Sequence, residues 1–219
     1  MHQIIPGILE KDFSEIERKL EIIKPFSNTV HIDFIDGIFA SNITFLDPTP
    51  FKKYSKDFFM EAHLMVKDPA KYVQPLFAAG FKRVLGHIEQ MDDLDEFVAR
   101  GQMLGEVGLA IDNETDIEKL NIPYQDLDLL LLMGVKAGYS GQEFIPNTLE
   151  KVKKIRERNE TILIEVDGGV TDKNILNIKN AGANRFVVTS FLFGQENPQK
   201  AYEELNNLIN PQASGQKKH

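Results

Sequence analysis

HIDFIDGIFASN, residues 31–42, sets a histidine and two aspartates in a run otherwise suited to burial. His31 and Asp33 are two apart, so in a strand they share one face. Val30, Ile32 and Phe34 take the other face. If the apolar set packs on helices, the acid and the imidazole point inward, near the C-terminal mouth of a barrel. Functional groups of such barrels gather at that mouth. A third charge, Asp36, follows just before Gly37.

The rest of the chain supports a barrel. Short β-rich runs lie at about 3–8, 28–34, 58–65, 82–88, 106–111, 127–135, 162–167 and 184–189. Helical segments fall between them. Asp12 with Glu15 offers a capping box, followed by Ile16, Leu20 and Ile23 at helical spacing. Asp68-Pro69 reads as a helix start, with Asp as the cap. Further starts are expected at Asp92, Glu114–Thr115, Asn147 and Thr171, the last helix ending near Gly182. Strands alternating with helices imply parallel pairing by right-handed crossovers. About eight such units fit an α/β fold of one (β/α)8 TIM barrel over residues 1–210, with a flexible polar tail at 211–219. The rival, a doubly wound open sheet, is weakened because no G-x-G-x-x-G follows the first strand.

Composition narrows the function. The 219 residues carry a net charge of −8 and no cysteine. No basic cluster offers a nucleic-acid surface. Thiol catalysis and disulfides are excluded, and any metal must be held by histidines and carboxylates. No apolar run approaches the ~20 residues of a membrane span, and the N-terminus lacks the pattern of a signal peptide. A cytoplasmic protein without membrane partners is expected.

Other charged residues end other strands: His63 the third, His87 and Glu89 the fourth, Asp167 the seventh. His31, Asp33, His63 and Asp167 would meet at one mouth, as two imidazoles and two carboxylates suited to a divalent transition metal. Each has a plainer reading. His-x-Asp also serves as a hydrogen-bonded pair, Asp-Gly-Gly as a turn, and Met65 and Met133 as core. Two glycine-bearing loops, 136–144 and 167–170, follow the sixth and seventh strands, and Thr189 and Ser190 end the eighth. Such loops bring backbone N–H groups close to an anion, a common barrel site for phosphate, although glycines there also simply make turns.

Taken together, these stretches resemble the ribulose-phosphate 3-epimerase family. The similarity is carried by HIDFIDGIFASNITF (31–45), HLMVKDP (63–69), GYSGQEFIPNTLEKV (138–152), IEVDGGVTDKNI (164–175) and AGANRFVVTSFLFG (181–194). It implies a TIM barrel, one divalent metal ion (Zn, Fe, Mn or Co), a pentulose 5-phosphate substrate and epimerisation at C3, an isomerase of carbohydrate metabolism acting in the pentose phosphate pathway. It also implies a homo-oligomer, dimer or hexamer. Carried over by position, His31, Asp33, His63 and Asp167 would be the ligands, and Asp33 and Asp167 the acid–base pair. Substrate contacts would come from Gly7, His63, Met65 and Met133. Phosphate contacts would come from Gly138, Tyr139, Ser140, Gly141 and Gln142, from Gly168 and Gly169, and from Thr189 and Ser190.

The chain departs from the family pattern in places. Gly7 stands where a substrate-binding serine is usual, Ile35 for methionine, Lys136-Ala137 and Asp112-Asn113 for Asn-Pro, Ser140 for glycine, and Thr189 for glycine. Gly7 is expected to leave space for a longer sugar. The main reading, interconversion of D-ribulose 5-phosphate and D-xylulose 5-phosphate through an enediolate, therefore stands beside epimerisation of a hexulose 6-phosphate such as allulose 6-phosphate. A non-catalytic phosphosugar-binding relative is the third reading. A decarboxylase or aldolase of similar fold is disfavoured, because its Asp-x-Lys-x-x-Asp pattern is missing from His-Ile-Asp-Phe-Ile-Asp.

Overall fold

Eight parallel strands close into a barrel in chain order. The computed structural model describes residues 2–211. The strands are β1 (Gln3–Ile8), β2 (Thr29–Ile35), β3 (Phe59–Met65), β4 (Arg83–His87), β5 (Glu106–Ile111), β6 (Leu129–Met133), β7 (Leu163–Asp167) and β8 (Arg185–Val188). Each lies within about two residues of its expected run. The expected tail lies, apart from residue 211, outside the described residues.

Helices wrap the strands: α1 (Phe13–Ile23), α2 (Ala70–Ala78), α3 (Leu94–Gln102), α4 (Asn147–Arg158), α5 (Ile175–Ala181), α6 (Ser190–Phe193) and α7 (Pro198–Ile209). Their apolar stripes meet the outer faces of the strands. Ile16, Leu20 and Ile23 of α1 are buried as their spacing predicts. Phe34, Phe51, Phe81, Phe97 and Phe186 fill the layer between strands and helices. The outward residues of β2 are Val30, Ile32 and Phe34, all in that layer. His31 and Asp33 are left facing the barrel interior.

Several local expectations are corrected. After β2 the chain forms only a 3-10 helix, Thr49–Tyr54. The helix expected at Glu114–Thr115 is absent; two 3-10 turns, Ile117–Lys119 and Tyr124–Asp126, take its place. Pro123 lacks the N–H a helix needs there. Lys151 of α4 holds this segment by donating to the carbonyls of Asp112, Asn113 and Thr115. Asp12 flanks α1 without a side-chain cap. Asp68 has a left-handed backbone (φ 56°) and pairs with Lys71 at 2.8 Å rather than capping α2. Asp93, not Asp92, caps α3 by accepting from the Glu96 N–H. Thr171 lies ahead of α5, which starts at Ile175 and ends at Gly182 as expected.

Candidate active site at the barrel mouth

Register explains why the charged residues meet. Asp33 on β2 lies beside His63 on β3, and Met133 on β6 beside Asp167 on β7. Gly7 on β1 lies beside His31. Neighbours in a parallel sheet point the same way, so one inward layer collects groups from several strands. One donor atom from each of His31, Asp33, His63 and Asp167 falls within 4.8 Å of the others. His63 Nδ1 is 2.9 Å from Asp33 Oδ1 and 3.4 Å from Asp167 Oδ2. His31 Nε2 is 3.4 Å from Asp33 Oδ1 and 3.9 Å from Asp167 Oδ2. All four side chains are buried.

The donor set fits a divalent cation. His31 Nε2 is buried with no hydrogen-bond partner among the described residues, which is costly unless something else takes its lone pair. The partners behind the two histidines fix their tautomers, as a metal-binding role would require. His31 Nδ1 donates to Glu61 at 3.0 Å. His63 Nε2 faces His87 Nε2 at 2.9 Å, and His87 Nδ1 faces Glu89 at 3.0 Å. Burial favours protonated Asp33, but the His31 and His63 imidazoles beside it outweigh that and hold the carboxyl at about 2. Burial also opposes charge on both imidazoles. Asp33, Glu165 and Glu61 nonetheless raise His31 well above its ordinary value, and Asp167 and Asp33 raise His63.

Sequence reading missed the layer beneath. Glu61 and Glu165 each sit two residues before one of the four converging residues and face inward with it. Arg185 reaches Glu61 at 2.6 Å and Glu165 at 2.7 Å, and Arg83 reaches Glu61 at 2.7 Å. Two guanidinium groups thus face two buried carboxylates under the mouth. The two-residue alternation that pairs His31 with Asp33 also pairs Glu61 with His63 and Glu165 with Asp167 on the inward face. Asp36 plays a local part: it accepts from the N–H groups of Ile38 and Lys67, joining two loops.

Above the layer a narrow pocket opens at the mouth. Asp33 and Asp167 line it with Met65, Met133, Gly138, Tyr139, Ser140, Gly141, Gly168, Gly169, Thr189 and Ser190. Gly168 and Gly169 have φ of 103° and 68°, a conformation that favours glycine. Gln142 lies apart from the cavity lining, bracing its loop by donating to the carbonyls of Lys136 and Tyr139. Asn42 and Tyr139 tie the loop after β2 to the loop after β6 through the carbonyls of Gly138 and Ser41.

Gly7 does not open space, contrary to expectation. A Cβ placed there would lie 2.2 Å from Thr189 Oγ1 and 2.8 Å from Val187 Cγ1. The volume is already filled.

The profile of the ribulose-phosphate 3 epimerase family matches residues 3–193. The chain belongs to that family. As a member it is an enzyme, an isomerase acting on carbohydrates. It is 32% identical over 214 residues to the ribulose-phosphate 3-epimerase of Schizosaccharomyces pombe, covering 94% of this chain and 93% of that one. Against that of Escherichia coli K12 it is 33% identical over 215 residues, covering 94% and 95%. A relative from Oryza sativa, 31% identical over 94% of each chain, is named as a cytoplasmic isoform. In fold the chain is also similar to 3-hexulose-6-phosphate synthase, with a TM-score of 0.70 at 16% identity over 95% of this chain and all of that one. For 3-keto-L-gulonate-6-phosphate decarboxylase from Vibrio cholerae the TM-score is 0.72 at 12% identity, covering 96% and 98%. At those identities the likeness concerns architecture alone. Among the described residues of this family member, no helix is long and apolar enough to cross a membrane.

Proposed function

We propose that the protein interconverts D-ribulose 5-phosphate and D-xylulose 5-phosphate by moving a proton at C3, with Asp33 and Asp167 as acid and base. One observation carries this reading: two carboxylates from β2 and β7 converge on two imidazoles inside a buried mouth. Inverting a carbon beside a ketone requires taking the proton from one face and returning one to the other. Asp33, held near 2, is ionised at neutral pH and can accept the C3 proton. The Asp167 carboxyl returns a proton to the opposite face of the planar enediolate. The reverse reaction exchanges their roles.

His31 Nε2, Asp33, His63 Nδ1 and Asp167 would hold a divalent ion of the zinc, iron, manganese or cobalt kind, which when bound supplies positive charge to the ketone and hydroxyl oxygens as negative charge develops there. Met65 and Met133 exclude water from the reacting carbon. Backbone N–H groups of the loops at Gly138–Gly141, Gly168–Gly169 and Thr189–Ser190 would take the phosphate. The filled volume at Gly7 favours the five-carbon substrate over a hexulose phosphate. The cell compartment proposed is the cytoplasm, and one barrel over residues 1–210 carries the whole site.

The test is deuterium exchange at C3 of D-ribulose 5-phosphate in D₂O, with and without a chelator. Exchange that stops on metal removal and recovers on metal return supports the reading. Absence of exchange with this sugar, when a ketose 6-phosphate does exchange, overturns it.

A further inference from the structure

We infer that the Thr189 hydroxyl is a specificity-determining contact to the carbon-chain hydroxyls of the substrate, and that Gly7 exists to admit it. The inference rests on the proposed substrate class and deepens it.

Thr189 Oγ1 lies 2.2 Å from where a Cβ on residue 7 would be, closer than two non-bonded atoms allow. Any side chain on β1 at this level would therefore displace the threonine. Gly7 is level with His31, one of the four converging residues. The hydroxyl consequently sits at the depth of the reacting groups, inside the cavity that Asp33 and Asp167 line. Ser190, the next residue, is exposed at the rim. Thr189 flanks α6, yet its side chain makes no capping hydrogen bond. Its hydroxyl is thus not spent on the helix and lies among groups that act on the sugar carbons. A hydroxyl both donates and accepts, which suits a polyol chain. A site built to hydrogen-bond a substrate hydroxyl discriminates strongly against an analogue lacking it. The residue after β8 thereby brings a hydroxyl from the far end of the chain to the level of Gly7 on β1.

The experiment compares Thr189→Val, Thr189→Ser, Gly7→Ser and the double variant Gly7→Ser/Thr189→Gly in the full chain. C3 exchange of D-ribulose 5-phosphate gives KM and kcat. Calorimetry measures binding of the same sugar phosphate, and of inorganic phosphate, without depending on turnover. Thr189→Val keeps the volume and loses the hydroxyl, so it should weaken the sugar phosphate about 3- to 10-fold, chiefly in KM. Thr189→Ser should recover most of that, and inorganic phosphate should bind Thr189→Val as it binds the wild type. Gly7→Ser should be impaired, and the double variant should exceed it about 10-fold or more. Unchanged sugar-phosphate binding by Thr189→Val overturns the inference. Equal loss for inorganic phosphate overturns it too, by assigning the hydroxyl to the phosphate. If the wild type binds the sugar phosphate without exchanging C3, the epimerase reading fails while the Thr189→Val comparison still decides this one. If the wild type binds neither, both fail.

Discussion

Replacing His87 by leucine should weaken metal binding about 10- to 100-fold, although His87 is not one of the four converging donors. The reason is a proton count along a buried chain. Glu89 is held at about 2: burial pushes its carboxyl up, and the hydrogen bond from His87 pulls it down further. It therefore accepts the His87 Nδ1–H at 3.0 Å. Burial outweighs the hydrogen bond to Glu89 and lowers the His87 pKa, so its Nε2 stays a bare acceptor. That acceptor takes the His63 Nε2–H across 2.9 Å. The Nδ1 lone pair of His63 is thereby left facing Asp33 and Asp167. In His87→Leu, the His63 Nε2–H is buried without a partner, at a cost of about 1–3 kcal/mol. Moving the proton to Nδ1 escapes that cost but removes the lone pair from the donor set. A loss of about 1.4–2.7 kcal/mol corresponds to 10- to 100-fold in affinity, the range typical of groups that orient a metal ligand. Competition of purified protein with a chromophoric chelator for Zn²⁺ or Co²⁺ measures it. Metal affinity within about 2-fold of wild type, in a variant that folds normally, would refute the tautomer argument.

Asp167→Asn, assayed at saturating metal, should lower kcat by about 10²- to 10⁴-fold while calorimetry still detects D-ribulose 5-phosphate; a variant turning over at near wild-type rate removes Asp167 from the proton path. Arg185→Leu leaves Glu61 and Glu165 short of a partner, so urea unfolding should show a loss of about 3–5 kcal/mol; a loss under about 1 kcal/mol would mean the ionic layer is not a stabilising unit. Glu89 has a folded pKa of about 2 against an ordinary 4.5. Its stabilisation is present above pH 4.5 and fades as pH falls from there towards 2. Glu89→Gln should flatten the stability curve across that window, and parallel curves for the two proteins would count against the assignment.

Much of this architecture is legible in one dimension because the periods are short. Two-residue alternation turns His31 and Asp33 to one side and Val30, Ile32 and Phe34 to the other, and repeated runs of this kind separated by helical stripes leave few topologies open. Helix starts are less legible. Asp12, Asp68 and Asp92 are all plausible caps by residue type, yet none caps with its side chain. The choice depends on backbone angles set by packing, such as the left-handed conformation of Asp68. The segment from Glu114 fails as a helix because Pro123 interrupts it and Lys151, from another element, satisfies its carbonyls.

The sequence by itself determined the barrel and which residue types gather at its mouth, since both follow from spacing along the chain. Only the tertiary structure decided the relations across it: the ionic layer of Glu61, Glu165, Arg83 and Arg185, the His63–His87–Glu89 chain, and the filling of the Gly7 space by Thr189. Barrel closure brings β1 against β8. Whether a missing side chain leaves a void is therefore settled by a residue from the opposite end of the chain, through contact that no local pattern encodes.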